Sequence, residues 1–448
     1  MSPPLLLGPV RLRGGTVVIR PPRLSDHAAW RAIRLRDRAL IEPFWYNSEL
    51  DWAGRHTEKQ WVREVLLAWA EARTGRRVPG AIEIDGRFAG QCELCAVDIR
   101  GGTAEMSIWI DSRLARYGFG GLAATLVADY GFGVLGLHRI VAPISPDNRA
   151  AAAGAAEIGF TREALMARYF DAGGARRDHA LWALTRADIP PGGFAAEWLG
   201  RMATKSASLQ LDSTSDGGVF PPAGRGADPD FGPPRRSAPV ALMLLVSLRL
   251  AAGRVLRRML RLRAGCPVRL DIPGHPDAVL RTRRLSDGPG WRAAQLRNHG
   301  LLDGAVPGYE RARRYTRTAW WREFARSRGG LRSPAGLVLV LETDGGYAGE
   351  ARLFGLDMFD RNARIFVWAD PARVDDGVRA AATRALLGHA FNQLGLYRVS
   401  ADIDSADLES ASVAANAGLL KEGIMRNHSG PTGRRADHAL WALTVGER

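Results

Sequence analysis

The chain has 448 residues, 46% of them hydrophobic, a net charge of +15 and three cysteines at positions 92, 95 and 266. No run of about 18 uncharged apolar residues suggests a membrane span, and Met1–Pro9 has neither a basic region nor a cleavage-site pattern, so the cytoplasm is the expected location. The cysteines are too few for a disulfide framework, and the charge is local: 249–269 holds seven arginines and no acid, which argues against a nucleic-acid-binding design spread over the whole chain.

In chain order, the pattern predicts a β-branched strand at Thr16–Arg20, then helices bearing Leu24, Asp26, Trp30 and Trp61–Glu64. Strands follow near 80–85, 88–97 and 103–111. Cys92 and Cys95 fall in the second of these, three residues apart and therefore on opposite faces. With no second C-x-x-C and no H-E-x-x-H, no metal is expected. Next comes a glycine-rich turn, Arg113-Leu-Ala-Arg-Tyr-Gly-Phe-Gly-Gly121, between a strand and a helix beginning near Gly120. Such a turn lets backbone N–H groups approach a phosphate, while a helix N-terminus adds a favourable dipole; glycine-rich turns of this kind are also commonly structural. A strand near 138–144, Pro146-Asp147-Asn148, a helix from about 149, Gly159-Phe160 with Glu163, and a strand pair ending at Thr185 complete the segment.

Residues 203–238 are rich in Ser, Gly, Asp and Pro and are expected to form a disordered linker. In 239–264, Arg254, Arg257, Arg258 and Arg261 recur at i, i+3, i+4 and i+7, giving a helix with one basic face. Three readings stand: a connector packed by its apolar side, a helix on an anionic membrane surface, or one on RNA phosphates.

Residues 118–185 recur gaplessly as 377–444, with 25 of 68 positions identical and Asp178–Thr185 repeated in full as Asp437–Thr444. Upstream, Leu285, Asp287, Trp291 and the Trp320–Glu323 segment answer their counterparts. The expected organisation is a duplicated α/β domain: a lobe at 1–202, the linker, the basic helix and a second lobe at 265–448.

The succession of strand, R-x-G-x-G-G turn, helix, L-G-L-H-R strand, P-D-N, helix and G-F-x-x-E resembles the GNAT superfamily of acetyl-CoA-dependent N-acetyltransferases. Within it, the chain looks most like the RimJ/RimL branch, which acetylates the N-terminal amines of ribosomal proteins. The resemblance implies tandem lobes, each with a mixed, largely antiparallel sheet flanked by helices and splayed between its fourth and fifth strands. It places acetyl-CoA, as co-substrate, on Arg116, Tyr117, Gly118, Phe119, Gly120 and Gly121, with Ser107, Ile108, Trp109 and Ile110 along its arm and Asn148 contacting it. Ala115 and Ala151 depart from the family pattern.

The amine acceptor must lose a proton, so a carboxylate is sought. Glu105 is the first candidate base and Glu93 the second, either being readable as a solvated strand-end residue. Tyr169 is a candidate thiolate-protonating acid or a packed aromatic. Arg34, Arg36 and Trp45 stand either toward an acceptor or as solvated arginines and a core tryptophan. Asp178-His179, repeated as Asp437-His438, reads as a structural pair holding the last strand. In the second copy Arg116 and Tyr117 become Asp375 and Asp376, Gly120 becomes Arg379 and Asn148 becomes Asp407. Carboxylates there repel a pyrophosphate, so the first lobe is expected to be catalytic and the second degenerate. Acylation of a small-molecule amine, and a non-catalytic adaptor carried to membrane or ribosome, are the alternative functions. Acceptor identity and oligomeric state are left open.

Overall fold

The computed structural model describes residues 5–172, 175–212, 242–243, 245–249, 251–252, 267–298, 315–328, 336–357, 360–429 and 435–447, with backbone alone at 206–212 and 447. It divides into two compact units, one of residues 1–162, 172–175 and 181–251 and the other of 163–171, 176–180 and 252–448. Residues 163–171 and 176–180, from the last hairpin of the first copy, group with the second unit.

The first copy contains β1 (Leu7–Leu12), β2 (Gly15–Arg20), α1 (His27–Arg36), α2 (Arg38–Ile41), α3 (Trp52–Arg55), α4 (Glu58–Arg73), β3 (Ala81–Ile84), β4 (Arg87–Asp98) and β5 (Thr103–Ile110). These are followed by α5 (Phe119–Gly133), β6 (Arg139–Ile144), α6 (Arg149–Ile158), β7 (Thr161–Ala172), β8 (Ala175–Thr185) and α7 (Phe194–Asp212). Its strands lie in the order β1-β2-β3-β4-β5-β6-β8. Strand alternation sends one set of side chains, including Ile19, Leu94 and Met106, into a core under α5. The other face meets α1 and α4 through Trp30, Trp61, Phe88 and Trp109.

Neighbours from β1 to β5 are antiparallel, whereas β5 and β6 are parallel and pair only at Thr103↔Arg139, Ala104↔Ile140 and Glu105↔Val141. Past Glu105 the two strands part, which creates the splay.

One expectation for the connecting region needs correction. The α7 helix runs on to Asp212, so 203–212 is helical, not linker. Its Phe194, Trp198 and Met202, spaced by four, are all buried in the first core. The remainder of the expected linker, 213–238, lies outside the described residues. Within 239–264, described residues 242–243, 245–249 and 251–252 are helical, and Val246 packs on Val62 with Leu242 and Met243 beside it. That contact favours the connector reading for the apolar end; Arg254, Arg257, Arg258 and Arg261 lie outside the described residues.

The second copy repeats the plan with β9 (Arg269–Asp271), β10 (Ala278–Thr282), α8 (Gly288–Arg297), α9 (Arg317–Ser327), β11 (Leu337–Thr343), β12 (Gly346–Asp357) and β13 (Asn362–Ala369). The chain continues through α10 (Asp376–Asn392), β14 (Arg398–Asp404), α11 (Leu408–Asn416), β15 (Leu420–Ser429) and β16 (Arg435–Thr444). Its parallel pair, β13 and β14, is again limited to three residue pairs, Asn362↔Arg398 to Arg364↔Ser400. A buried ion triad also repeats: Arg20 with Asp26 and Glu83 becomes Arg281 with Asp287 and Glu342. In both copies it ties the strand before the first helix to the following strand.

Candidate active site

The glycine-rich turn is fixed at its start by charge. Asp111 accepts from the Arg113 backbone N–H at 2.9 Å, and Arg36 Nη2 approaches its carboxylate at 2.6 Å. Arg36 also pairs with Asp37, which accepts from both the backbone N–H and the hydroxyl of Ser112 at 2.9 and 2.8 Å. Burial pushes the Asp37 and Asp111 carboxyls up, but their arginine partners and the N–H groups donating to them outweigh it and hold both below the usual range. Arg36 is thus a brace for the turn, not an acceptor-facing cation.

The turn ends at Gly118, whose φ of +83° and ψ of 0° are left-handed and suit glycine. Helix α5 starts from it with no side-chain cap. Its first N–H groups, from Phe119, Gly120 and Gly121, are therefore available to an anion, with the helix dipole behind them. A Cβ at Gly120 would meet only Ile110, at 3.6 Å, so the ground before the helix is open. Phe119 buries its ring in the core and offers only its backbone, while Arg116 is exposed and Tyr117 half-buried. Backbone donors and a helix dipole at this end of α5 are the groups that could hold a diphosphate, and Arg116 stands exposed two residues before Gly118.

Around the splay, β5 presents alternate residues to opposite faces. Ile108 and Ile110 lie on the α5 side, while Glu105, Ser107 and Trp109 lie on the α1 and α4 side. The four residues expected to line one arm are thus divided. On the α1 side, register places Cys95 opposite Glu105 and Glu93 opposite Ser107, so both candidate carboxylates share that face. Arg77 holds Glu93 bidentately at 2.9 and 2.8 Å. Burial nonetheless leaves the Glu93 carboxyl above its ordinary range, with nearby Glu64 pushing in the same direction against Arg77. Glu64, Gln91 and Trp109 form a hydrogen-bonded row, at 3.1 and 2.9 Å. Arg34 is fully buried between the rings of Trp45 and Trp109, 3.9 and 4.2 Å from their centroids, and burial pulls its pKa down to about 10. It is neither solvated nor placed at an open acceptor surface.

The sequence model of the family described as Acetyltransferase (GNAT) domain matches residues 16–161 and again 279–420, together more than half of the chain. The chain belongs to the GNAT family. Among its relatives, YdaF of Bacillus subtilis, named as a ribosomal N-acetyltransferase, is 31% identical over 124 residues, 28% of this chain and 64% of YdaF. YjcK of the same organism, named as an N-acetyltransferase, is 32% identical over 83 residues, 18% of this chain and 46% of YjcK. The chain thus spans less than two thirds of the length of these curated relatives. A solved structure of Mycobacterium smegmatis RimJ in complex with CoA-disulfide is 35% identical, with 46% of this chain and 95% of that one covered and a TM-score of 0.41.

The second GNAT copy closes its own turn. Asp375 caps α10, its carboxylate accepting from the Val378 N–H at 2.8 Å, so a fixed anion already sits at the helix end. Arg379, at the position of Gly120, pairs with Asp376 at 3.1 Å and with Glu409 of α11 at 3.0 Å. Gly377, although aligned with Gly118, lies inside helix α10 instead of in a left-handed turn. The shared letter therefore marks different backbones.

The remaining expected residues have local tasks. Asn148 caps α6 by accepting from the Ala151 N–H at 3.1 Å, as Asp407 does for α11. Tyr169 belongs to the second unit, where its carbonyl accepts from Asn362 Nδ2 at 2.8 Å and its ring lies 5.9 Å from that of His179. Asp178 accepts from the backbone N–H of Arg168 at 2.8 Å, and Asp437 from that of Asn427 at 3.0 Å. Arg168 and Asn427 both have left-handed φ, +45° and +48°, so the repeated Asp-His segment clamps equivalent strained positions, the structural role expected of it.

Proposed function

We propose that the first GNAT copy transfers the acetyl group of acetyl-CoA to a primary amine, the α-amino group of a protein N-terminus, and that the second copy binds no donor. The observation that carries this reading is the contrast between the uncapped start of α5 and the carboxylate-capped start of α10. The name of YdaF, a ribosomal N-acetyltransferase, supports the choice of a ribosomal-type protein acceptor.

In this reading Gly118 to Gly121 and Arg116 hold the diphosphate, and Ile108 and Ile110 border the arm on the α5 side. Acetyl-CoA supplies an activated acetyl group: the neutral amine adds to its carbonyl to form the C–N bond, the C–S bond then breaks, and the sulfur leaves as the thiol with the second proton given up by the nitrogen. The ammonium of the acceptor gives its proton to a carboxylate on the α1-side face, directly or through water. Glu93 suits the task because burial keeps its carboxyl more basic than usual while Arg77 orients it; Glu105 lies diagonally across on the next strand. Beyond Glu105 the β5 edge has no ladder partner in β6 among the described residues, so its backbone donors can face the carbonyl oxygen as negative charge develops.

Calorimetry of the full chain with acetyl-CoA tests the assignment, alongside turnover with peptide and small amines. One donor per chain and a preference for peptide N-termini are expected. Two equivalent donor sites per chain would overturn the assignment of the second copy, and faster turnover of small amines would overturn the acceptor.

A further inference from the structure

Helix α7 lies outside the repeated segment and outside the GNAT match, yet it is built against the glycine-rich turn. Trp198 Nε1 donates to the Gly118 carbonyl at 3.0 Å. A Cβ at Gly121 would lie 2.0 Å from the Trp198 ring, and one at Gly118 would lie 2.9 Å from Met202 Sδ. These two glycines thus make room for a helix as well as for a ligand. The second copy has Ala380 in place of Gly121. At its start, α7 is held by α5 itself, since Asp129 accepts from the N–H groups of Phe194 and Ala195 at 2.8 and 2.9 Å. Farther along, Lys205 pairs with Glu157 of α6 at 2.8 Å.

The Gly118 carbonyl and the Phe119 N–H belong to one rigid peptide plane, pointing in opposite directions. Leu122 N–H and Trp198 Nε1 both donate to that carbonyl, so they fix the plane and with it the direction of the Phe119 N–H. We propose that Trp198 is a positioning residue for donor binding, acting through the Gly118–Phe119 peptide to aim and polarise the N–H that meets the diphosphate. This rests on the placement of acetyl-CoA at the first turn. Because Gly118 is left-handed and has no side chain to lock it, an external clasp has a physical task here.

The test compares full-length wild type with Trp198→Phe, which keeps an aromatic ring but removes the donor. Dissociation constants are measured by calorimetry for CoA and for pantetheine, which lacks the diphosphate. The expected result is a rise of roughly three- to tenfold in the CoA constant, the scale of one hydrogen bond, and a corresponding fall in the preference for CoA over pantetheine. Equal CoA affinity in the variant, or equal weakening of both ligands, would overturn the positioning role. No CoA binding by wild type would instead overturn the placement of the donor. Asp129→Asn, which loosens the start of α7 without touching the turn, should shift the same preference in the same direction by a smaller factor, and it keeps the test decisive if Trp198→Phe does not fold.

Discussion

The two copies keep the same opening in the sheet and treat the helix beside it in opposite ways. Each parallel strand pair stops after three residue pairs, so neither splay depends on the local loop sequence. In the first copy the adjoining helix begins at an uncapped glycine; in the second a carboxylate occupies the helix end and Arg379 ties the turn to α11. A helix end can be closed by a side chain of its own chain or begin without one, and the two copies show one example of each.

The comparison breaks most directly at Gly120. Gly120→Arg, copying the second turn, is expected to weaken acetyl-CoA binding by at least a hundredfold in full-chain calorimetry while leaving the melting temperature nearly unchanged, since only Ile110 is near the new Cβ. Retained affinity would remove the physical basis for assigning the donor to this turn.

Next in size is Glu93→Gln, for which turnover should fall about a hundredfold with little change in donor affinity. Because burial raises the Glu93 pKa, the acidic limb of the wild-type rate profile should lie above the ordinary carboxylate range, with activity rising as pH increases through it. Steady-state rates across pH check both statements; a limb unchanged in the variant would point to Glu105.

The position equivalent to Gln91 is Glu350, fully buried between Arg283 and Arg352. Burial pushes its carboxyl up, but the two arginines prevail and hold it down to about 2 from 4.5. A depressed pKa contributes stability that is present above the unfolded value, near 4.5, and is lost as pH falls toward about 2. Glu350→Gln should therefore lower stability at neutral pH by about 3–5 kcal/mol and flatten the acid dependence of the second unit in denaturant titrations at several pH values. Gln91, being neutral, gives the first unit no such dependence. The smallest change is Asp375→Ala, expected to cost about 1 kcal/mol through loss of a helix cap, read in the same titrations.

Much of this was legible in sequence. The alternating strands, the helix following the glycine-rich turn and the repeat all arise from local periodicity, which fixes which face of an element is apolar. The acidic second turn could also be read by charge, but not that Asp375 would cap its helix, because capping depends on where the helix starts. Arg34 and Arg36 looked like surface cations; their partners, Trp109 and Asp111, are about 75 residues away, and no local pattern joins them. Helix α7 was not expected at all: its Thr204 to Ser208 stretch has a linker's composition, whereas the helix is anchored by Trp198 and by Asp129 on a distant element.

The arrest of the ladder at Glu105↔Val141 has a thermodynamic corollary. A pantetheine arm entering between β5 and β6 would displace water but no strand-to-strand hydrogen bonds past that point. Donor binding should then not speed backbone hydrogen exchange anywhere along β5, and the second copy has a sheet parted after the same number of residue pairs.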